Sequence, residues 1–219
     1  MAATCHQRGH FARNGADDIR AATRTLQSRL AREGIPLEVV PSAEWMMDAA
    51  TVEQWAELVP TLLTIGDAGK YALLEFPLRF PAYISHLAES LNTRGIVGVL
   101  AHVEKYPELL SNPRRLKELL ASGFIAQMNA DSIAGQWGAS VARRCKGLIR
   151  QGLIHLVASD AHSVERRPPL LKDAYALVTS WTDAETADLL FRFNPQAILA
   201  SENVTKPISQ RWLDRFRGS

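Results

Sequence analysis

Leu153-Ile154-His155-Leu156-Val157-Ala158-Ser159-Asp160-Ala161-His162 is the stretch on which the reading of this chain turns. Residues 153–157 make an apolar run broken only by His155, the length of a strand covered on both faces. The run ends in Asp160-x-His162. Parallel α/β sheets send the C-terminal tips of their strands to one edge, where active sites lie. A carboxylate and an imidazole two residues apart at such a tip enter the same mouth. His155, between Ile154 and Leu156, is read as a hydrogen-bonded core histidine rather than a ligand.

The same pattern recurs upstream. Leu37–Val40 is β-like and is followed by Glu44. Tyr71–Phe76 reads as a buried strand closed by Pro77, with Glu75 near its end. Ile96–Leu100 is followed by His102, and Phe124–Met128 by Asn129. Ala2-Ala3-Thr4 fits the tail of a further strand, followed by His6. Between these runs lie helical patterns. Ile19, Ala22, Leu26 and Leu30 mark a helix over 16–33 that Gly34 and Pro36 stop. Thr51–Val59 reads as helix, and Ile84, Leu87 and Leu91 mark another. Leu116, Leu119 and Leu120 form the face of a helix opened by Asn112-Pro113 and ended by Gly123. Ser140–Gln151 contains one more. From Pro169 onward three helical pieces are expected, broken near Asp183 and at Asn194-Pro195. Alternating strands and helices imply βαβ units and a parallel sheet, either doubly wound or closed as a barrel. No linker or repeat interrupts the pattern, so residues 1–219 read as one domain.

Composition narrows the function classes. A net charge of +2 on 219 residues argues for neither nucleic acid nor a membrane surface. No apolar run approaches the roughly 20 residues needed to span a bilayer. The N-terminal residues MAATCHQRGHF lack an apolar signal core, which makes the cytoplasm the expected location. Cys5 and Cys145 are too few for a disulfide framework and read as reduced thiols. GxxxxGK[ST], GxGxxG, HExxH and GxSxG motifs are absent. Neither cysteine has an arginine at the spacing of a cysteine-dependent phosphatase.

What remains are oxygen and nitrogen donors without thiolate, a set that suits Mn, Fe or Zn better than a structural zinc site. Glu44 alone would ordinarily be a solvated loop residue. Glu75 sits in an apolar strand, where an unpaired carboxylate is costly, so a partner is required. His102 and the Asp160/His162 pair carry the metal reading furthest. Two cationic groups can join the mouth. Lys105 follows His102, and Arg166-Arg167 follows His162 ahead of Pro168-Pro169, whose fixed φ stiffens the loop. Arginine there would clamp phosphate through its guanidinium fork, against the plain alternative of a solvated basic loop. His86 on a helix and His10 in a loop are expected at the surface. Trp45, Trp55, Trp137, Trp181 and Trp212 read as packing residues.

These stretches resemble the bacterial PHP-type (polymerase and histidinol phosphatase) tyrosine phosphatases of capsule and exopolysaccharide operons. The matches are Ala3-Thr4-Cys5-His6, Ala72–Phe76, Ala101–Tyr106, Gln127–Ala130, Ala158–His162 with Arg167-Pro168-Pro169, and Asn194-Pro195. The resemblance implies a distorted β/α (TIM-like, PHP-type) barrel with up to three ions, usually Mn2+. It makes Glu44, Glu75 and His102 ligands of one shared ion pair, with Asp160 beside Glu44. His6 and His162 become ligands of a third ion, and Arg167 becomes the phosphate-binding arginine. Lys105 stands where the family has a second arginine, keeping charge without the fork. The family opens with a strand bearing a His-x-His pair and then a helix. This chain starts at the second strand, so a barrel lacking its first strand and helix, and fewer ions, are expected.

The activity implied is hydrolysis of phosphotyrosine in a protein, a bacterial tyrosine autokinase, by metal-activated water. Two rivals are kept. One is a binding remnant that docks on the kinase without catalysis. The other is a small-molecule phosphatase resembling histidinol phosphatase, or an amidohydrolase.

Overall fold

The computed structural model describes residues 1–7, 13–78 and 83–207. The chain forms two compact units, Met1–Val99 with Leu199–Ser201, and Leu100–Ile198 with the chain from Glu202 onward.

The first unit is built on β1 (Ala2–Gln7), β2 (Val40–Met46) and β3 (Tyr71–Glu75). Both neighbouring pairs are parallel, with Ala2 opposite Val40, His6 opposite Glu44, and Met46 opposite Glu75. β4 (Val97–Leu100) follows, its Val97 amide donating to the Lys70 carbonyl at 2.8 Å. The helix Ala16–Arg32 connects β1 to β2 as expected, with Asp17 and Asp18 in its first turn and Arg29 and Arg32 in its last. Gly34, at φ 67°, ends it in the left-handed conformation a side chain disfavours. Its buried positions are Ile19 and Thr23; the expected Leu26 is 41% exposed.

The second strand corrects the sequence reading. Leu37–Val40 is not the strand: Leu37 is exposed and β2 starts at Val40. Pro41 lies at the second position of β2, close enough to the strand's start for proline to be tolerated. Glu44 consequently lies inside β2 rather than in a loop after it.

The second unit holds β5 (Ile125–Asn129) and β6 (Leu156–Ala158), again parallel, with Gln127 opposite Leu156 and Asn129 opposite Ala158. Helices Pro113–Ala121 and Ala139–Arg150 bury Leu116, Leu119, Cys145, Leu148 and Ile149. β6 is shorter than expected, since residues 153–155 lie ahead of it. His155 is nevertheless buried and hydrogen-bonded: its amide donates to the Ala126 carbonyl at 2.9 Å and its Nδ1 accepts from the Ala126 amide at 3.3 Å. Burial, with the Lys206 charge second, lowers its pKa to about 4.

The helical tail also departs from expectation. The break near Asp183 is present, with the Asp183 carboxylate capping Thr186 N at 2.7 Å. No break falls at Asn194-Pro195; a π-helical turn, Leu189–Phe193, runs straight into the helix Asn194–Leu199. Pro195 directly follows that π-helical turn, inside one continuous helical stretch.

Candidate metal centre

In the first unit, strand alternation assembles the site. Parallel pairing sets His6 beside Glu44 and Glu44 beside Leu73, so Glu75, two residues past Leu73, faces the same side. His6 Nδ1 lies 3.6 Å from an oxygen of Glu44 and 3.6 Å from one of Glu75. One donor atom from each of the three lies within 4.8 Å of the other two. The side chains are 30%, 5% and 21% exposed, so the Glu44 carboxylate is nearly dry while the others open to solvent.

The 3.6 Å separations exceed a hydrogen bond. Donors about 2.1 Å from one tetrahedral ion stand about 3.4 Å apart, so the spacing fits three ligands around a common cation. Two carboxylates and an imidazole form the donor set of a Mn, Fe or Zn site. The resemblance assigns His6 to a different ion from Glu44 and Glu75; the structure sets it against both.

The second unit carries the remaining expected residues. His102 follows β4 in the left-handed region, φ 34° and ψ 57°, and is 4% exposed. Asp160 follows β6 at φ 48°. Non-glycine residues rarely adopt this conformation, and it concentrates at functional sites. Asp160 Oδ2 accepts from Lys105 Nζ at 2.9 Å, from Asn129 Nδ2 at 2.8 Å and from Arg167 Nη2. Burial alone would raise the Asp160 pKa; the Lys105 hydrogen bond and charge, with Asn129 and Arg167, outweigh it and hold the carboxyl below the usual range. His162 is exposed, its Nδ1 2.9 Å from the Asp160 carbonyl oxygen and 3.6 Å from Oδ1.

Lys105 and Arg167 thus converge on one carboxylate, leaving an excess of positive charge suited to an anion. Arg167 reaches this point because its loop is tightly pinned. The His162 amide donates to the Arg167 carbonyl at 3.0 Å, and Ser163 Oγ accepts from the Arg166 and Arg167 amides. A cavity of about 180 Å³ lies beside Arg167, walled by Ala130, Ala134, Pro168, Leu170 and Ala174 among others.

Some participants escaped the sequence reading. Glu104 is 4% exposed; Oε1 accepts from Ser132 Oγ at 2.9 Å and from the Asn129 amide at 3.2 Å, while Oε2 has no hydrogen-bond partner among the described residues. Burial raises its pKa to about 7. The only signal was its place two residues after His102. Ser163, which fixes the arginine loop, gave none.

Trp137 is not a packing residue: it is 57% exposed, its Nε1 donating to Asp131 at 3.0 Å. Trp45 is fully buried and His86 exposed, as expected. Both described cysteines are free thiols. His10 and Trp212 lie outside the described residues. Among the described residues no helix is long and apolar enough to cross a membrane.

Parallel strands bearing an imidazole–dicarboxylate cluster that could hold a metal ion define an α/β protein with a candidate metal centre. Comparison with known proteins then fixes the family. A family model described as capsular polysaccharide synthesis, CpsB/CapC, matches residues 1–200. The chain belongs to that family. It is 31% identical over 219 residues to tyrosine-protein phosphatase YwqE of Bacillus subtilis, covering 98% of this chain and 85% of YwqE. It is 31% identical over 150 residues to tyrosine-protein phosphatase CpsB of Streptococcus pneumoniae, covering 66% of this chain and 60% of CpsB. The putative tyrosine-protein phosphatase CapC of Staphylococcus aureus is 31% identical over 143 residues, with 54% of its length covered.

A solved structure reported for YwqE and CpsB as metal-dependent tyrosine phosphatases superposes with a TM-score of 0.85 at 30% identity, over 93% of this chain and 81% of that one. The α/β fold with parallel strands expected from the sequence is therefore shown.

Proposed function

We propose that this chain is a metal-dependent phosphomonoesterase that hydrolyses phosphotyrosine in a protein. The observation that carries the reading is the His6–Glu44–Glu75 cluster, in a chain whose family relatives bear the name tyrosine-protein phosphatase. In the first unit His6, Glu44 and Glu75 would hold a divalent ion; in the second unit His102, Asp160 and His162 are the ligands we propose. Mn2+ is the ion we favour: it is one of those that mixed carboxylate and imidazole donors without thiolate suit, and the one the family resemblance implies. When bound, such an ion supplies Lewis acidity toward a phosphoryl oxygen and an attacking water.

The chain's own residues do the rest. Arg167 offers guanidinium donors beyond the one given to Asp160, and these orient phosphoryl oxygens. Lys105 adds a point charge without a fork. Asp160 keeps both cations in place between turnovers. The cavity beside Arg167, where Ala130, Ala134 and Pro168 stand among polar residues such as Asp131 and Lys172, would receive the aromatic part of the ester. The protein substrate in this reading is a bacterial tyrosine autokinase of the capsule or exopolysaccharide operon, met in the cytoplasm.

Purified chain supplied with Mn2+ should release phosphate from a phosphotyrosine peptide. Chelation and His102→Ala should each cut the rate more than tenfold. A rate indifferent to both would refute the proposal.

A further inference from the structure

β5 presents two buried amides on one face, Gln127 and Asn129, which are 5% and 0% exposed. Buried amides in a strand are unfavourable unless every polar atom is spoken for, and apolar residues of similar volume would pack as well. Here the partners form a directed chain. The His102 backbone amide donates to Gln127 Oε1 at 2.5 Å. Gln127 Nε2 donates to Asn129 Oδ1 at 2.7 Å, and Asn129 Nδ2 donates to Asp160 Oδ2 at 2.8 Å. The Asn129 backbone amide donates to Glu104 Oε1 at 3.2 Å, tethering the far end of the strand.

The direction of this chain is forced. A backbone N–H only donates and a carboxylate only accepts, so both amide orientations follow from the two ends. Flipping either amide would set oxygen against oxygen or N–H against N–H. What the chain joins is telling: His102 and Asp160 are both left-handed non-glycine residues two positions past the ends of β4 and β6, at φ 34° and φ 48°. Strained residues of this kind persist only when their surroundings over-determine them.

We propose that Gln127 and Asn129 are positioning residues, an amide rail that fixes where His102 and the Asp160 carboxylate stand. The assignment rests on the reading of those two residues as part of the phosphatase site. The rail touches no substrate; it sets backbone geometry at one end and carboxylate orientation at the other. Its two amides act as a unit, because they are linked in series and the geometry of one end reaches the other only while both are present.

The test uses the full chain with Gln127→Met, Asn129→Leu and their double, and with Thr179→Val as a control that removes a part-buried hydrogen bond, Thr179 Oγ1 to the Tyr175 carbonyl, outside the rail. Without metal, backbone hydrogen exchange at His102 should quicken at least tenfold in Gln127→Met, and the Asn129 side-chain amide NMR signals should move. With Mn2+, both single variants should lose at least tenfold in ion affinity and in kcat, with KM for the peptide nearly unchanged. The double variant should be no worse than the worse single.

Thr179→Val should leave these readings at wild-type values. If a variant is too unstable to assay at 25 °C, exchange and affinity are read at lower temperature on folded protein. Folded variants with wild-type exchange, unmoved Asn129 signals and wild-type affinity would overturn the rail, as would additive losses in the double. A wild-type chain that neither binds Mn2+ nor hydrolyses the peptide would instead refute the phosphatase reading, and the metal-free exchange would still decide the rail.

Discussion

Replacing Glu44 by glutamine should move stability in opposite directions with and without metal. Glu44 and Glu75 place carboxylate oxygens within 4.8 Å of each other, and the Glu44 side chain is only 5% exposed. At an effective dielectric of about 20, two unit charges at that distance repel by about 3.5 kcal/mol. His6 and solvent offset part of this, leaving about 1 kcal/mol relieved by E44Q in metal-free protein. For a chain of this size that raises the melting temperature by about 2–4 °C. Mn2+ reverses the order. At a concentration about 100 times its dissociation constant, an ion stabilises the wild type by about 2.7 kcal/mol, or about 5–10 °C. E44Q loses a charged ligand, and its shift at that concentration should nearly vanish. Thermal melts of both proteins, each after chelation and with added Mn2+, are sufficient. E44Q melting below wild type without metal, and shifting equally with it, would refute the reasoning.

Further outcomes follow from the same geometry. Arg167→Lys keeps a charge near Asp160 but loses the fork; a charged hydrogen bond is worth about 1.5–3 kcal/mol, so kcat/KM for a phosphotyrosine peptide should fall about 10- to 150-fold. His155 takes up a proton near pH 6.5 when unfolded but only near pH 4 when folded. Stability is therefore full above pH 6.5 and falls by about 3 kcal/mol as the pH drops to 4, and denaturant titrations of His155→Gln should show a flatter profile across that window. Leu74→Ala, at a fully buried position on the sheet face opposite Glu75, should cost about 2–5 kcal/mol in denaturant while the folded protein keeps its Mn2+ affinity.

Strands stood out in the sequence where they were continuously apolar, as at Tyr71–Leu74 and Ile96–Leu100, because burial on both faces leaves no polar interruption. β2 was misplaced for the opposite reason: Val40–Met46 contains proline, serine and a glutamate, and only its pairing with β1 and β3 makes it a strand. Glu44 was singled out all the same, because it falls in a series of ionisable residues that follow strand-like runs and the family resemblance makes it a ligand. Glu104, Gln127 and Ser163 were beyond reach. The roles of Glu104 and Gln127 arise from hydrogen bonds between residues far apart along the chain, such as the one joining Gln127 to His102, whereas Ser163 bonds locally to the Arg166 and Arg167 amides and nothing in its residue type marks that turn. The shortening of β6 was equally hidden, since the hydrogen bonds of His155 reach Ala126 whether or not a full ladder forms.

Crystals grown with Mn2+ and measured by anomalous scattering test the metal-centre claim at its root. An anomalous peak should lie roughly 2.0–2.6 Å from a ring nitrogen of His6 and from a carboxylate oxygen of both Glu44 and Glu75. Saturating Mn2+ with no peak among these three side chains, or with peaks only elsewhere on the molecule, would contradict it.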